Sequence, residues 1–210
     1  MPRAYRLGSR EGPKGETRAR IIEAALEIIR DRGLKGASNL AIAHAADVAP
    51  ATVRNHFPTP DDLATATFDA LLALLDVPTP AIYEGLDTLA DRVQRLAIEL
   101  AALYERSGPW WRAYEREPQL ITAWGGGVER YYADVDRLMR AALGDLGDDD
   151  EAVSVLAAVV GPPTFFALRN RGLSGDDAVR LTLELALPWL ERRQPLRRRH
   201  PTSTGRRSSG

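Results

Sequence analysis

An all-α fold is predicted by three features of this 210-residue sequence. Apolar residues recur at spacings of three and four from Ile22 to Leu190, the period of helices with one buried face. The interruptions are helix punctuation: Gly33, Pro58-Thr59-Pro60, Pro78 with Pro80, and Gly161-Pro162-Pro163. The stretch Ser38–Phe57, SNLAIAHAADVAPATVRNHF, reads as two short helices joined by a tight turn at Asp47-Val48-Ala49.

The composition is globular, with 44% hydrophobic and 27% charged residues. Cys is absent, which excludes a disulfide framework and thiolate chemistry. No apolar run approaches the ~20 residues of a membrane span, so no membrane partner is expected. The N-terminus lacks the apolar core of a secretory signal, and the default compartment is the cytoplasm. The net charge of -1 is unevenly spread. Residues 1–75 carry ten Lys/Arg against nine acids, and residues 192–210 carry seven Arg and no acid. The middle is acidic. Such a chain suits a polyanion met by its ends, although terminal Arg runs are also simple solvated tails.

In chain order, residues 1–15 read as a flexible basic arm, in which Arg3, Arg6, Arg10 and Lys14 could enter a minor groove. A helix is expected from about Glu16 to Arg32. Ile22, Leu26 and Ile29 form one stripe and Ile21, Ala24 and Ile28 another, so it packs on two sides. Gly33 closes it. Ser38 caps the next helix, about Asn39 to Ala46, and its free N–H groups offer an anion site. In the corner, Ala43 sits where only a small side chain fits. Asp47 sits where the backbone turns with φ > 0, and Val53 is the plug of the second helix, Pro50 to about His56. Ile42, Ala46, Val48 and Phe57 complete the buried side. Ala51, Thr52, Arg54, Asn55 and His56 are left facing outward, as a major groove would require. The corner by itself is also compatible with any small αα corner. After it, Thr59 caps a helix to about Leu75, with Pro60 in its first position and Asp61 and Asp62 in its first turn. Its face is Leu63, Ala66 or Thr67, Ala70, Leu71 and Leu74.

The segment from Thr17 to Leu75 resembles the N-terminal domain of TetR-family transcriptional regulators. The shared features are the R-I-I-x-A-A-L run in the first helix, the Gly33 break, the cap followed by Ile42-Ala43, the ending His56-Phe57, and Pro58 before the fourth helix. Several positions depart from the family pattern. Asp47 replaces a usual Gly, Ala49 a usual Ser cap, Arg54 a usual aromatic and Pro60 a frequent Lys. The resemblance implies a DNA-binding headpiece over residues 16–75 and a helical effector-binding and dimerisation domain over 81–193. Residues 194–210 remain as an unstructured basic tail.

The body shows only helical periods. Ile82, Leu86, Leu89, Val93, Leu96, Leu100 and Leu103 form one seam, expected to stop at Ser107-Gly108-Pro109. A short aromatic helix, Trp110 to Arg116, follows. The next series runs from Ile121 through Trp124, Val128, Tyr131, Val135 and Leu138 to Ala142, interrupted at Gly125-Gly126-Gly127, where each glycine costs about 1 kcal/mol. A helix from about Asp149 to Arg169 must kink or divide at Gly161-Pro162-Pro163. The last helix, about Gly175 to Arg192, is apolar on two sides. The resemblance makes helices 149–169 and 175–192 a four-helix homodimer interface.

Catalytic groups are not evident. His44, His56 and His200 have no metal-ligand spacing, and no G-x-S-x-G or phosphate loop occurs. No catalytic residue, metal or cofactor is expected. Trp110, Trp111, Tyr114, Trp124, Tyr131 and Phe165 are candidates for a pocket that holds an apolar or planar effector, the plain alternative for each being ordinary core. The DNA-contact candidates are Lys35, Ser38, Asn39, Ala51, Thr52, Arg54, Asn55 and His56. The expected function is a sequence-specific regulator of double-stranded operator DNA, most simply a repressor released by a small ligand. The alternative is a ligand-independent architectural DNA-binding protein.

Overall fold

The computed structural model describes residues 12–117, 124 and 126–194. Arg3, Arg6 and Arg10 of the expected arm, Ile121 and the basic tail from Pro195 lie outside them. Among the described residues there are helices and 3-10 turns and no strand.

The headpiece is built from α1 (Pro13–Arg32), α2 (Asn39–Ala45), α3 (Pro50–His56) and α4 (Pro60–Leu75). Helix α1 starts three residues before the expected Glu16, because Pro13 is preset for the first helical position. Gly33, at φ 75°, ends it with its N–H on the Ile29 carbonyl. Ile21, Ile22, Ala24, Ala25 and Ile28 bury against Ile42, Ala43, Val53 and Phe57 in a core of their own. Ile29 turns the other way, into the core of the body. Helix α4 is fixed by a capping box. Thr59 Oγ1 accepts from the Asp62 N–H at 3.1 Å, and Asp62 Oδ2 accepts from the Thr59 N–H at 3.0 Å. Its expected face needs correction. Leu74 is exposed, while Phe68 and Leu75 are buried. This helix serves two cores, and its second face, Phe68, Leu71 and Leu75, belongs to the body.

The body contains α5 (Leu89–Arg116), α6 (Gly126–Leu143), α7 (Asp150–Val160), α8 (Pro162–Asn170) and α9 (Gly175–Arg193). The seam expected from Ile82 begins as helix only at Leu89, because Pro80–Tyr83 is a 3-10 turn and Gly85 takes φ 76°. The expected stop at Gly108-Pro109 is also corrected, since α5 runs through it to Arg116. A proline inside a helix costs about 3 kcal/mol. Trp110 and Ala113, just beyond it, are buried, and about 200 Å² of buried indole returns about 5 kcal/mol. Ser107 Oγ donates to the Tyr104 carbonyl at 3.2 Å in the turn before the proline. Gly161 divides α7 from α8 as its two prolines require. Pro60–Tyr83 and Asp150–Asn170 pass a membrane-span test by length and composition. Neither is one continuous helix, because Asp76 (φ 51°) ends the first and Gly161 breaks the second.

Helix α9 lies along α5 through Ala178, Thr182, Ala186 and Leu190, one every fourth residue. Ser174 and Asp177 form its capping box. The Asp177 carboxyl is held below the usual carboxylate range, first by the Ser174 hydroxyl and then by Arg180. A depressed carboxylate stabilises the fold above its unfolded pKa of about 3.9 and loses that contribution as pH falls through the folded value. Asp177→Asn is therefore expected to lower Tm at pH 7, with the gap to wild type closing toward pH 3. Thermal melts across pH 3–7 check this, and a gap independent of pH contradicts it.

Candidate nucleic-acid interface and ligand cavity

The α2–α3 corner is held from beneath by four small or branched side chains. Ile42, Ala43, Ala46 and Val53 are buried, while Val48, expected with them, is half-buried. The turn closes with the Val48 N–H on the Ala43 carbonyl at 2.9 Å. Asp47 adopts φ 52°, the left-handed conformation that Asp tolerates better than most residues. Ser38 Oγ accepts from the Ala41 N–H at 3.2 Å and caps α2. Helix α3 begins after Ala49 without a side-chain cap, and Pro50 presets its first turn.

With the buried side fixed, the outer side follows. Lys35, Ser38, Asn39, Ala51, Arg54 and Asn55 are exposed, and Thr52 and His56 are half-buried. Two further residues join this surface. Leu40 is 70% exposed beside Asn39, an apolar side chain left in solvent. The Arg18 guanidinium lies 4.7 Å from the centroid of the Phe57 ring, at the end of α3. Neither has a local sequence signal: a single Leu on a short helix does not declare its face, and the Arg18–Phe57 pair spans 39 positions of sequence.

Inside the body is a cavity of about 420 Å³. Trp110, Trp111, Trp124 and Tyr131, four of the six candidates, line it. Phe165 does not. It is buried behind the wall, with its ring centroid 5.4 Å from that of Tyr104 and 5.4 Å from that of Phe166. The side chain of Tyr114 lies outside the described residues. Beyond the sequence candidates, Tyr104 lines the cavity too, and α4 contributes a whole wall: Phe68, Leu71, Leu72 and Leu75. Phe68 packs on Trp124 at 4.9 Å and meets Tyr131 edge-on at 6.3 Å. Burial pushes the Tyr104 and Tyr131 phenols up from their ordinary pKa, so both stay neutral at any ordinary pH. No charged side chain is among the described residues lining the cavity.

Gly127 lets α6 approach α4 here, since a Cβ on it would lie 2.7 Å from Phe68 Cδ1. Gly127→Ala is expected to push Phe68 into the cavity and weaken binding of a cavity-filling ligand by about tenfold, the scale of a 1–3 kcal/mol overpacking cost. Titration by Trp fluorescence checks it, and unchanged affinity contradicts it.

The family model for "Bacterial regulatory proteins, tetR family" matches residues 21–67. Among solved structures, the multidrug binding protein EbrR complexed with imidazole is similar at 21% identity and TM-score 0.58, over 88% of this chain and 96% of that one. A protein from Saccharomonospora viridis in complex with choline is similar at 18% identity and TM-score 0.52, over 81% of this chain and 95% of that one. EbrR complexed with proflavin aligns at 22% identity and TM-score 0.50, over 82% and 98%. At such identities the likeness is one of fold. No curated protein sequence matches the chain. The matched segment holds α2, the Asp47 turn, α3 and the capped start of α4. Residues 21–67 therefore match the tetR family of bacterial regulatory proteins through their helix-turn-helix, and the rest of the chain shares the fold of the solved structures.

Proposed function

We propose that this protein is a homodimeric repressor that acts in the cytoplasm and is released from a roughly palindromic operator by a small apolar or aromatic ligand. The observation that carries the proposal is the sharing of α4. That helix starts three residues after Phe57, where α3 ends, and its far half forms one wall of the cavity. A ligand that fills the cavity pushes on Phe68, Leu71 and Leu72 and so on the lever that carries the recognition helix. It releases DNA only through its differential affinity for the two positions of that lever, with about 1.4 kcal/mol of difference for each factor of ten.

In each subunit α3 enters a major groove. Thr52, Arg54 and Asn55 reach base edges or adjacent phosphates, with Ala51 and His56 at the margin. Lys35, Ser38 and Asn39 hold the backbone. Residues 16–75 act as the headpiece and 81–193 as the effector and dimer domain. The dimer forms through α7–α8 and α9, where Val155, Val159, Leu181 and Trp189 are half-buried and Leu185 is exposed. The solved relatives hold imidazole, proflavin and choline. With no carboxylate among the described residues of this cavity's wall, aromatic faces hold its ligand.

The test is a compound screen by Trp fluorescence followed by operator binding. A compound that saturates the cavity is expected to weaken operator affinity at least about tenfold, a coupling of ~1.4 kcal/mol. Saturation with operator affinity unchanged overturns the release mechanism. Arg54→Ala is expected to relax base preference at one position of each half-site, costing about 1–3 kcal/mol there. An equal loss over all sequences, measured by competition binding, makes Arg54 a phosphate contact instead.

A further inference from the structure

Among the described residues the headpiece meets the body in two places. One is α4, whose last turn is tied by Arg106, with Nε and Nη2 donating to the Leu75 carbonyl at 3.0 and 2.9 Å. The other is the end of α1, where Ile29 joins the body core and Leu26 and Leu34 pack against it. Apolar contact is non-directional, so this second joint could slide. A polar contact fixes it. Glu117 follows the last residue of α5, and its Oε2 accepts from the Leu34 N–H at 2.6 Å, across 83 positions of sequence. Beside it, Arg116 Nη2 donates to the Arg30 carbonyl at 3.4 Å. Gly33 makes room, because at φ 75° a Cβ there would lie 2.8 Å from Glu117 Oε1. Leu34 opens the 3-10 turn Leu34–Gly36, which leads through Ala37 to the Ser38 cap of α2. The carboxylate thus holds the segment that feeds the recognition corner.

Helix α5 is also packed along α9, the helix of the proposed dimer face. Its 28 residues make a strut about 42 Å long, from that face to the headpiece. We propose that Glu117 is a positioning residue that sets which operator half-site spacing the dimer accepts. The proposal rests on the reading of the chain as a dimer on a two-fold site. One base pair of added spacing moves the half-sites apart by about 3.4 Å. A headpiece locked to α5 at Leu34 rejects that shift, and one free to slide on its apolar contact accepts it.

The test is selection of bound sequences from random DNA by the full-length wild type, Glu117→Ala, Glu117→Gln and Leu34→Pro. The last removes the donor from the other side of the contact and keeps the assay decisive if one variant fails to fold. Wild type is expected to enrich paired half-sites at a single spacing. Glu117→Ala and Leu34→Pro are expected to enrich the same half-site sequence over two or more spacings. They should also bind the wild-type operator about tenfold more weakly, the scale of a lost charge-assisted hydrogen bond. Glu117→Gln keeps an acceptor and should retain the single spacing. A contact that only stabilised the fold would lower Tm and leave the spacing unchanged, so a single spacing in both Glu117→Ala and Leu34→Pro overturns the proposal. If wild type itself enriches no paired half-sites, the dimeric-repressor reading fails, and this inference fails with it.

Discussion

Ala43→Leu is expected to abolish operator recognition while the body stays folded and dimeric. Ala43 is 1% exposed and lies where α2 crosses α3, and its own carbonyl closes the turn by accepting from Val48. Three extra carbons at such a contact cost about 1–3 kcal/mol in a core that can adjust. Here α2 and α3 have seven residues each and are joined by a four-residue turn, so the strain goes into their crossing. A rotated α3 no longer presents Thr52, Arg54 and Asn55 together. Operator affinity should fall at least about a hundredfold, which is ~2.7 kcal/mol, while circular dichroism keeps its helical signal. Fluorescence anisotropy with labelled operator measures it, and affinity within fivefold of wild type contradicts it.

The second large effect is expected from Leu185→Asp. Leu185 is 67% exposed in the single subunit, so the substitution costs the monomer fold little. On the proposed interface it buries a carboxylate against the apolar faces of α7 and α9, a desolvation of several kcal/mol. The protein should sediment as a monomer at micromolar concentration. Operator affinity should fall by about 10²–10⁴, because the second half-site is no longer tethered to the first. A dimer that persists with full operator affinity moves the interface elsewhere.

The headpiece was legible in the sequence because its determinants are local. A cap, a small residue at a crossing, a left-handed turn residue and an apolar plug all act within twenty positions, and Ser38, Ala43, Asp47 and Val53 each occupy the place expected. The division at Gly161 of the helix expected over 149–169 was legible for the same reason. The errors arose where a distant partner overrode a local signal. Pro109 is a breaker by its own chemistry, and the burial of Trp110 and Ala113 carries the helix past it. Leu74 fits the period of α4, but Phe68 and Leu75 are the residues the body buries, because α4 answers to two cores. Aromatic density between Trp110 and Tyr131 did point to the cavity. It could not separate Phe165, which supports the wall, from Tyr104 and Phe68, which form it. The Glu117–Leu34 contact has no local signature at all, since an exposed-looking Glu at a helix end gives no hint of an N–H 83 residues away.

The most direct measurement of the central claim is the wild-type protein's binding to selected DNA as salt is raised from 50 to 200 mM. The expected result is enrichment of a roughly palindromic sequence with half-sites about one turn, ~34–36 Å, apart or slightly more. Its affinity should fall steeply with salt as phosphate contacts release counterions, yet stay well above that for random DNA throughout. Retention of palindromic DNA no better than of random DNA at moderate salt would contradict the regulator reading.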